Sequence, residues 1–428
     1  MKAYAKWSRE ELLGLREELS RQYNEAKAKG LKLDMSRGKP AAEQLDMTMP
    51  MMDIFNRNFD MRDEEGVDVR NYGNLEGIVG ARRLLGSMLG VDPDHVIVFG
   101  TASLSVMYDT VSRSMTHGVM GSTPWCKLDK VKFLCPAPGY DRHFAITEHF
   151  GIEMITIPMK EDGPDMDLVE EYVKDPAVKG IWCVPMYTNP LGITYSEEVC
   201  RRMADLSPAA EDFRIYWDNA YCVHHLYEDR QDTLPEILSM CRANGKEDMV
   251  LIFASTSKIS FAGAGISCIA ASLGNLDWVK KSMTIQIISH DKINQLRHVL
   301  YFKDLDGVKE HMRKHAAIMR PKFELILDML ERELGGLEIG TWTKPLGGYF
   351  ISFNTMDGCA KSVVEKCRAA GVTLTGAGAT YPYKKDPHDS NIRIAPSYPT
   401  LEELKITGEL FVLCVKLVSV EKLLEEKQ

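Results

Sequence analysis

The sequence predicts an α/β fold: a mostly parallel, seven-stranded sheet between helices, with a smaller α+β domain beside it. Three observations predict it. Seven short β-rich, nearly continuous apolar runs follow one another between His95 and Ala270. Amphipathic or polar stretches of helical length separate most of them, and buried strands alternating with helices mean a sheet covered on both faces. Near Asp304 the alternation stops and a long helical stretch, Val308–Leu334, takes over.

The elements follow in chain order. Ser8 and Glu11 stand at capping-box spacing, Leu12, Leu15, Leu19 and Tyr23 make an apolar stripe, and Gly30 supplies a stop, so the chain opens with a helix. Asp34–Pro50, broken by Gly38 and Pro40, reads as a crossing from the small domain into the large one. The predicted strands are His95–Phe99, Val131–Cys135, Ile152–Pro158, Gly180–Val184, Phe213–Trp217, Val250–Ala254 and Gly265–Ala270. Beyond the long helix come a Gly-rich strand pair, Gly347–Ser352 with Gly371–Thr375, and a last helix from about Thr400. The expected division is an N-terminal segment joining the small domain (1–45), a large domain (46–303) and a C-terminal small domain (304–428).

Composition narrows the function classes. At 428 residues, 45% hydrophobic and 26% charged, the chain is ordinary for a globular protein, which excludes disordered, collagen-like and coiled-coil classes. A net charge of -9 argues against a general nucleic-acid binder but not against a small anionic ligand held by a few local cations. Ten cysteines include no CxxC pair, so no zinc or thioredoxin-like site is expected, and Cys135, Cys183 and Cys268 lie in apolar strand runs as small hydrophobes. With no signal-peptide pattern in Met1–Ser20, a reduced cytoplasm is the expected compartment. No apolar run approaches the roughly 20 residues of a membrane span. Leu410–Val420, interrupted by Lys416, reads as a core helix.

In open parallel sheets, ligands bind at the carboxyl ends of the strands. The unusual residues collect there. Gly100-Thr101-Ala102-Ser103 joins a strand to a helix, a setting for an anion on free backbone N–H groups, though a plain strand–helix turn fits as well. Asn189, before Pro190, can aim its amide into a cleft or simply make a turn. Asp218 ends a buried strand, where a carboxylate needs a cation such as a protonated heterocyclic nitrogen unless it caps a local turn; Tyr221 follows three residues on. Ser255-Thr256-Ser257-Lys258 runs out of another buried strand towards Gly263 and Gly265. A lysine at a core edge loses solvation, its pKa falls, and the neutral amine suits Schiff-base chemistry, while the hydroxyls can hold a phosphate. Arg393, inside an apolar strand, can grip a carboxylate bidentately or serve a structural ion pair.

Taken in order, these segments resemble the fold-type I, pyridoxal-phosphate-dependent aminotransferases over nearly the whole chain. MSRGKP (35–40), PGYDRHF (138–144), DGPDMD (162–167), STSKISFAGAG (255–265) and DKINQLRH (291–298) are similar to the bacterial aspartate aminotransferases related to the transferase domain of MocR-type regulators. The resemblance implies that Lys258 forms an imine with pyridoxal 5′-phosphate and shuttles the substrate proton. It implies that Asp218 pairs with the pyridinium nitrogen, and that Asn189 and Tyr221 bind the ring's phenolic oxygen. It further implies that Thr101, Ala102, Ser103, Ser255 and Ser257 hold the phosphate and that Tyr140 stacks on the ring. Tyr72 would reach the partner's phosphate in a homodimer with shared sites. Arg393 would clamp the substrate α-carboxylate, with Gly38 lining the pocket and Asn189 beside it.

Two departures from the family pattern stand out. No Arg follows the lysine in Ala262–Ile266, and the turn before the stacking ring reads Pro136-Ala137-Pro138-Gly139-Tyr140. The implied reaction is ping-pong transamination of L-aspartate with 2-oxoglutarate. Alternatives are aromatic, 2-aminoadipate or alanine donors, a lyase, or a cofactor-sensing regulator, for whose DNA-binding segment the chain leaves room for one helix only. Lys39, Arg37, Arg142 and Arg297 are the candidate cations for a distal carboxylate.

Overall fold

The capping box at Ser8 forms as its spacing predicts. The Ser8 hydroxyl accepts from the Glu11 amide at 3.1 Å, the Glu11 carboxylate accepts from the Ser8 amide at 2.6 Å, and the helix runs Arg9–Ala28. Gly30, at φ +62°, follows its end. The computed structural model describes residues 2–427.

The seven predicted strands all form. They are β1 (Val96–Phe99), β2 (Lys132–Ala137), β3 (Glu153–Lys160), β4 (Val178–Cys183), β5 (Arg214–Asp218), β6 (Val250–Ser255) and β7 (Ser267–Ala271). Their spatial order is β1-β7-β6-β5-β4-β2-β3, parallel from β6 through to β3, with β7 antiparallel to both its neighbours. An eighth, two-residue strand, Gly163–Pro164, folds back on the β3 edge. It lies in the DGPDMD run and is too short to show any periodicity. Near-total burial of β1, β4, β5, β6 and β7 matches their apolar sequences. This is the fold-type I architecture, an α/β sheet with many helices packed on it.

In the small domain one expectation fails. Gly347–Ser352 and Gly371–Thr375 do not pair with each other. Ile351–Thr355 is the middle of a three-stranded antiparallel sheet, between Gly340–Trp342 and Asn391–Ile394. Val372–Thr373 instead pairs in parallel with Leu33–Asp34, which draws the N-terminal segment onto the small domain. Strand partners are set by the tertiary assembly, and both segments are short enough for several pairings to satisfy their local patterns.

The helix predicted at Val308–Leu334 spans Leu305–Leu334 and continues through Pro321. Its first turns bury Val308 and Met312 in the core under the main sheet, and its later turns bury Met319–Leu334 in the second core. We propose the division 1–45, 46–303 and 304–428, with this helix packed into both bodies. The terminal helix, Leu401–Glu426, starts at a Thr400–Glu403 capping box, buries Leu410–Val420 as expected and packs along the N-terminal helix. No helix among the described residues is long and apolar enough to cross a membrane. All ten cysteines are unpaired.

Candidate active site

The predicted site residues sit where the strands deliver them. Asp218 is the last residue of β5, opposite Phe253 of β6, and Lys258 lies just past the end of β6. Asn189 follows β4, and Thr101 and Ala102 join β1 to the helix Ser103–His117, with Ala102 as its N-cap. This common edge is the expected consequence of a parallel sheet: every β6-like strand ends on the same side.

The turn around Lys258 is held from behind. The Thr256 amide donates to the Ile266 carbonyl at 2.8 Å, and the Thr256 hydroxyl accepts from the Ile266 amide at 2.9 Å. His298 Nδ1 faces the Asn294 carbonyl at 2.8 Å, and a carbonyl only accepts, so the ring proton sits on Nδ1. Nε2 is then the acceptor for the Thr256 and Ser260 hydroxyls, at 3.1 and 2.8 Å. Burial pushes His298 down to about 4, keeping it neutral.

Lys258 keeps a limited opening to the cleft, but the protein around it removes most of its solvation. That burial lowers its pKa from the ordinary lysine value; Asp218 pulls the other way, and Arg393 adds to the lowering. Its ammonium position is 5.0 Å from the Tyr221 ring centroid and 5.9 Å from that of Tyr349, and those two rings stack on each other.

Asp218 is 2% exposed. Its Oδ2 accepts from His143 Nε2 at 3.0 Å, and its Oδ1 is buried with no partner among the described residues. A buried carboxylate oxygen without a donor is costly. A protonated ring nitrogen would satisfy it, so Asp218 fits the pyridinium partner that the resemblance implies. His143 in turn stacks on Trp182, centroids 4.4 Å apart.

Two of the hydroxyls expected around the phosphate, Ser255 and Ser257, form one string. Ser255 donates to Ser257 at 3.2 Å, and Ser257 donates to the Thr101 carbonyl at 2.9 Å, beside the start of the Ser103 helix. Hydroxyls and a helix N-terminus together suit an anion without a nearby arginine.

Arg393, nine-tenths buried, comes from the three-stranded sheet. Its Nη1 donates to Asp141 Oδ1 at 2.9 Å and to Asn189 Oδ1 at 3.2 Å, and its Nη2 to the Thr375 hydroxyl at 3.3 Å. Its guanidinium lies 4.8 Å from the Phe350 ring centroid. Gly38 belongs here because a Cβ on it would collide with that same ring. Tyr140 caps the helix Asp141–His149 and meets His143 edge-on at 4.9 Å. Burial raises the Tyr140 and Tyr221 hydroxyls well above the ordinary phenol value, so both stay protonated.

One predicted residue has another contact: Lys39 sets its ammonium 3.7 Å over the Tyr398 ring. Tyr72, expected to act across a dimer, is 78% exposed, on a loop whose flanking carbonyls, Asn71 and Gly73, accept from the buried Lys292 at 2.7 and 2.8 Å. Reading the sequence missed roles for Asp141, His143, Phe350, Tyr349, Thr375 and His298. Asp141 and His143 were within reach: the first helical turn after Tyr140 carries both towards the same cleft.

The family profile described as aspartate amino-transferase matches residues 7–427. An aspartate aminotransferase of Corynebacterium glutamicum is 45% identical over 96% of this chain and 95% of its own. The crystal structure of an aspartate transaminase from the same species superposes with a TM-score of 0.96 at 44% identity, covering 98% and 99% of the two chains. An α-aminoadipate aminotransferase structure from Thermus thermophilus shares the fold, at TM-score 0.72 and 20% identity over 95% of each chain.

Proposed function

The chain belongs to the aspartate amino-transferase family, and from that premise we propose that it is a pyridoxal-5′-phosphate-dependent aspartate aminotransferase, exchanging nitrogen between L-aspartate and 2-oxoglutarate. The observation that carries the cofactor reading is a desolvated Lys258 within electrostatic reach of Asp218, whose Oδ1 is buried with no partner among the described residues.

In this reading Lys258 holds the cofactor's aldehyde carbon, Asp218 its ring nitrogen, Asn189 and Tyr221 its phenolic oxygen, and Tyr140 its ring face. The Thr101–Ser103 helix start, Ser255 and Ser257 take the phosphate. The bound cofactor supplies an electron sink for charge that develops at the substrate α-carbon. The remaining work belongs to the chain. Arg393 fixes the α-carboxylate, and with it the orientation of the α-hydrogen. Lys258, its pKa lowered by burial, would carry that proton between the substrate α-carbon and the cofactor carbon on the other side of the substrate nitrogen. Asp218, oriented by His143, keeps the ring nitrogen charged. Tyr221 and Tyr349 wall the lysine in and limit water around it.

The reading includes a homodimer in which Tyr72, exposed in the single chain, reaches the partner's phosphate. It also includes a cytoplasmic location, where ten unpaired thiols would stay reduced. Identity of 45% to an aspartate aminotransferase supports aspartate over aromatic, 2-aminoadipate or alanine donors. Screening amino donors with purified protein, 2-oxoglutarate and the cofactor tests this. Glutamate formed fastest from L-aspartate is the expected result; a faster aromatic or aliphatic donor would move the assignment within the family, and no glutamate from any donor would sink it.

A further inference from the structure

Arg393 does not stand free in the cleft. Its only charged partner among the described residues is Asp141, bonded at 2.9 Å through Nη1. The second Nη1 contact goes to Asn189 and the Nη2 contact to Thr375, both neutral. Thr375 donates its own proton to the Ser36 carbonyl, which fixes its hydroxyl as an acceptor for Arg393. The Nε is buried and unpartnered. Both Nη1 hydrogens are therefore committed, so an end-on two-point grip on another carboxylate through Nη1 and Nη2 needs one acceptor to let go, and of the two Asp141 is the partly exposed one while Asn189 is buried.

We propose that Asp141 is the resident counter-ion of Arg393 and holds the seat that a substrate's α-carboxylate takes over on binding. This inference rests on the reading that Arg393 is the carboxylate clamp. The two halves of the pair differ in a way that suits exchange. The Arg393 side chain is 9% exposed and that of Asp141 33%, so the carboxylate is the half that solvent and substrate can reach. A buried guanidinium without an opposite charge is expensive, and swapping one carboxylate for another leaves the buried charge balanced at both ends of the exchange. Asp141 has somewhere to go: it is the first residue of the helix Asp141–His149, whose N-terminal amides favour a negative charge there. The consequence is selectivity. Only a ligand that brings its own carboxylate displaces Asp141, so 2-amino and 2-oxo acids enter, while amines and esters of the same shape do not. The pair also joins two bodies, since Asp141 follows β2 of the main sheet and Arg393 lies on the small sheet.

The test uses the cofactor-loaded enzyme and acetate as the probe, with binding read by titration calorimetry. Asp141→Asn, which removes the competing charge, binds acetate about tenfold more tightly than wild type, and Asp141→Ser does the same should the first variant fold poorly. Asp141→Glu, which keeps the charge, stays within about twofold of wild type. Adding Arg393→Ala to Asp141→Asn removes the gain. Acetate binding unchanged or weakened in both neutral variants would overturn the proposal and leave Asp141 as a strut that orients Arg393. A gain that survives Arg393→Ala would overturn it too, because the anion would then sit elsewhere. Acetate binding needs no turnover, so a wild-type enzyme that transfers no nitrogen defeats the functional reading without touching this one.

Discussion

His143 donates to Asp218 Oδ2 at 3.0 Å, and this one bond leaves Oδ1 of the same carboxylate a buried acceptor with no partner among the described residues. The two side chains are 2% and 4% exposed, so water contributes little to either. The bond orients the carboxylate and leaves it one specific need.

Asp218→Ala removes the group that keeps the ring nitrogen charged and is expected to lower kcat/KM by about a thousandfold or more, ~4 kcal/mol. His143→Phe, which keeps the stacking surface on Trp182, is expected to cost about 10- to 100-fold, the size of an outer-shell partner. Steady-state rates on the two variants check the ranking. Equal losses would mean that His143 does more than orient Asp218.

Lys258→Ala is expected to abolish turnover, and borohydride treatment of the wild type should add the mass of the reduced cofactor to the peptide containing Lys258. The lowered pKa has a stability consequence in the cofactor-free protein. Between its folded pKa and 10.5 the unfolded chain binds a proton that the folded chain has shed, so stability rises with pH across that window. Lys258→Met should flatten the rise in denaturant titrations; an unaltered pH slope would show that the lysine is not desolvated.

His298 runs through the acid range. Its folded value is about 4 against 6.5 unfolded, so as pH falls below 6.5 the unfolded chain gains a proton first and stability is lost down to about pH 4. The loss attributable to this one residue is on the order of 3 kcal/mol. His298→Asn should start less stable at neutral pH and lose less on acidification. Parallel curves for wild type and variant would contradict the buried neutral assignment.

Gly38→Ala puts a methyl group into the Phe350 ring that lies beside Arg393. Overpacking of this kind costs about 1–3 kcal/mol. The strain falls on the carboxylate clamp, so KM for donor and acceptor should rise more than kcat falls. A change confined to thermal stability would separate Gly38 from the clamp.

Tyr72→Phe tests the shared-site reading. Loss of the hydroxyl should weaken cofactor retention several-fold on dialysis while sedimentation still reports a dimer. Full retention in the variant, or a monomeric wild type, would falsify the role assigned to Tyr72.

Much of this molecule was legible one segment at a time. The seven main strands, the helix cap at Ser8, the helix start near Thr400, and the placing of Lys258 and Asp218 at strand ends follow from apolar patterning and capping chemistry, which act within a few residues. The error at Gly347–Ser352 and Gly371–Thr375 has the same root: local pattern names a strand but not its partner, and the true partners of Val372–Thr373 lie at Leu33–Asp34.

The sequence by itself determined the order of elements and the placing of Lys258 and Asp218 at the ends of buried strands, because a strand's apolar run and its terminal polar residue are adjacent in the chain. Only the tertiary structure decided that His143 orients Asp218 across 75 residues and that Asp141 neutralises Arg393 across 252. Those pairings come from how helices and sheets stack, and the electrostatic need that selects them, a buried charge requiring its opposite, exists only after the chain has closed around it.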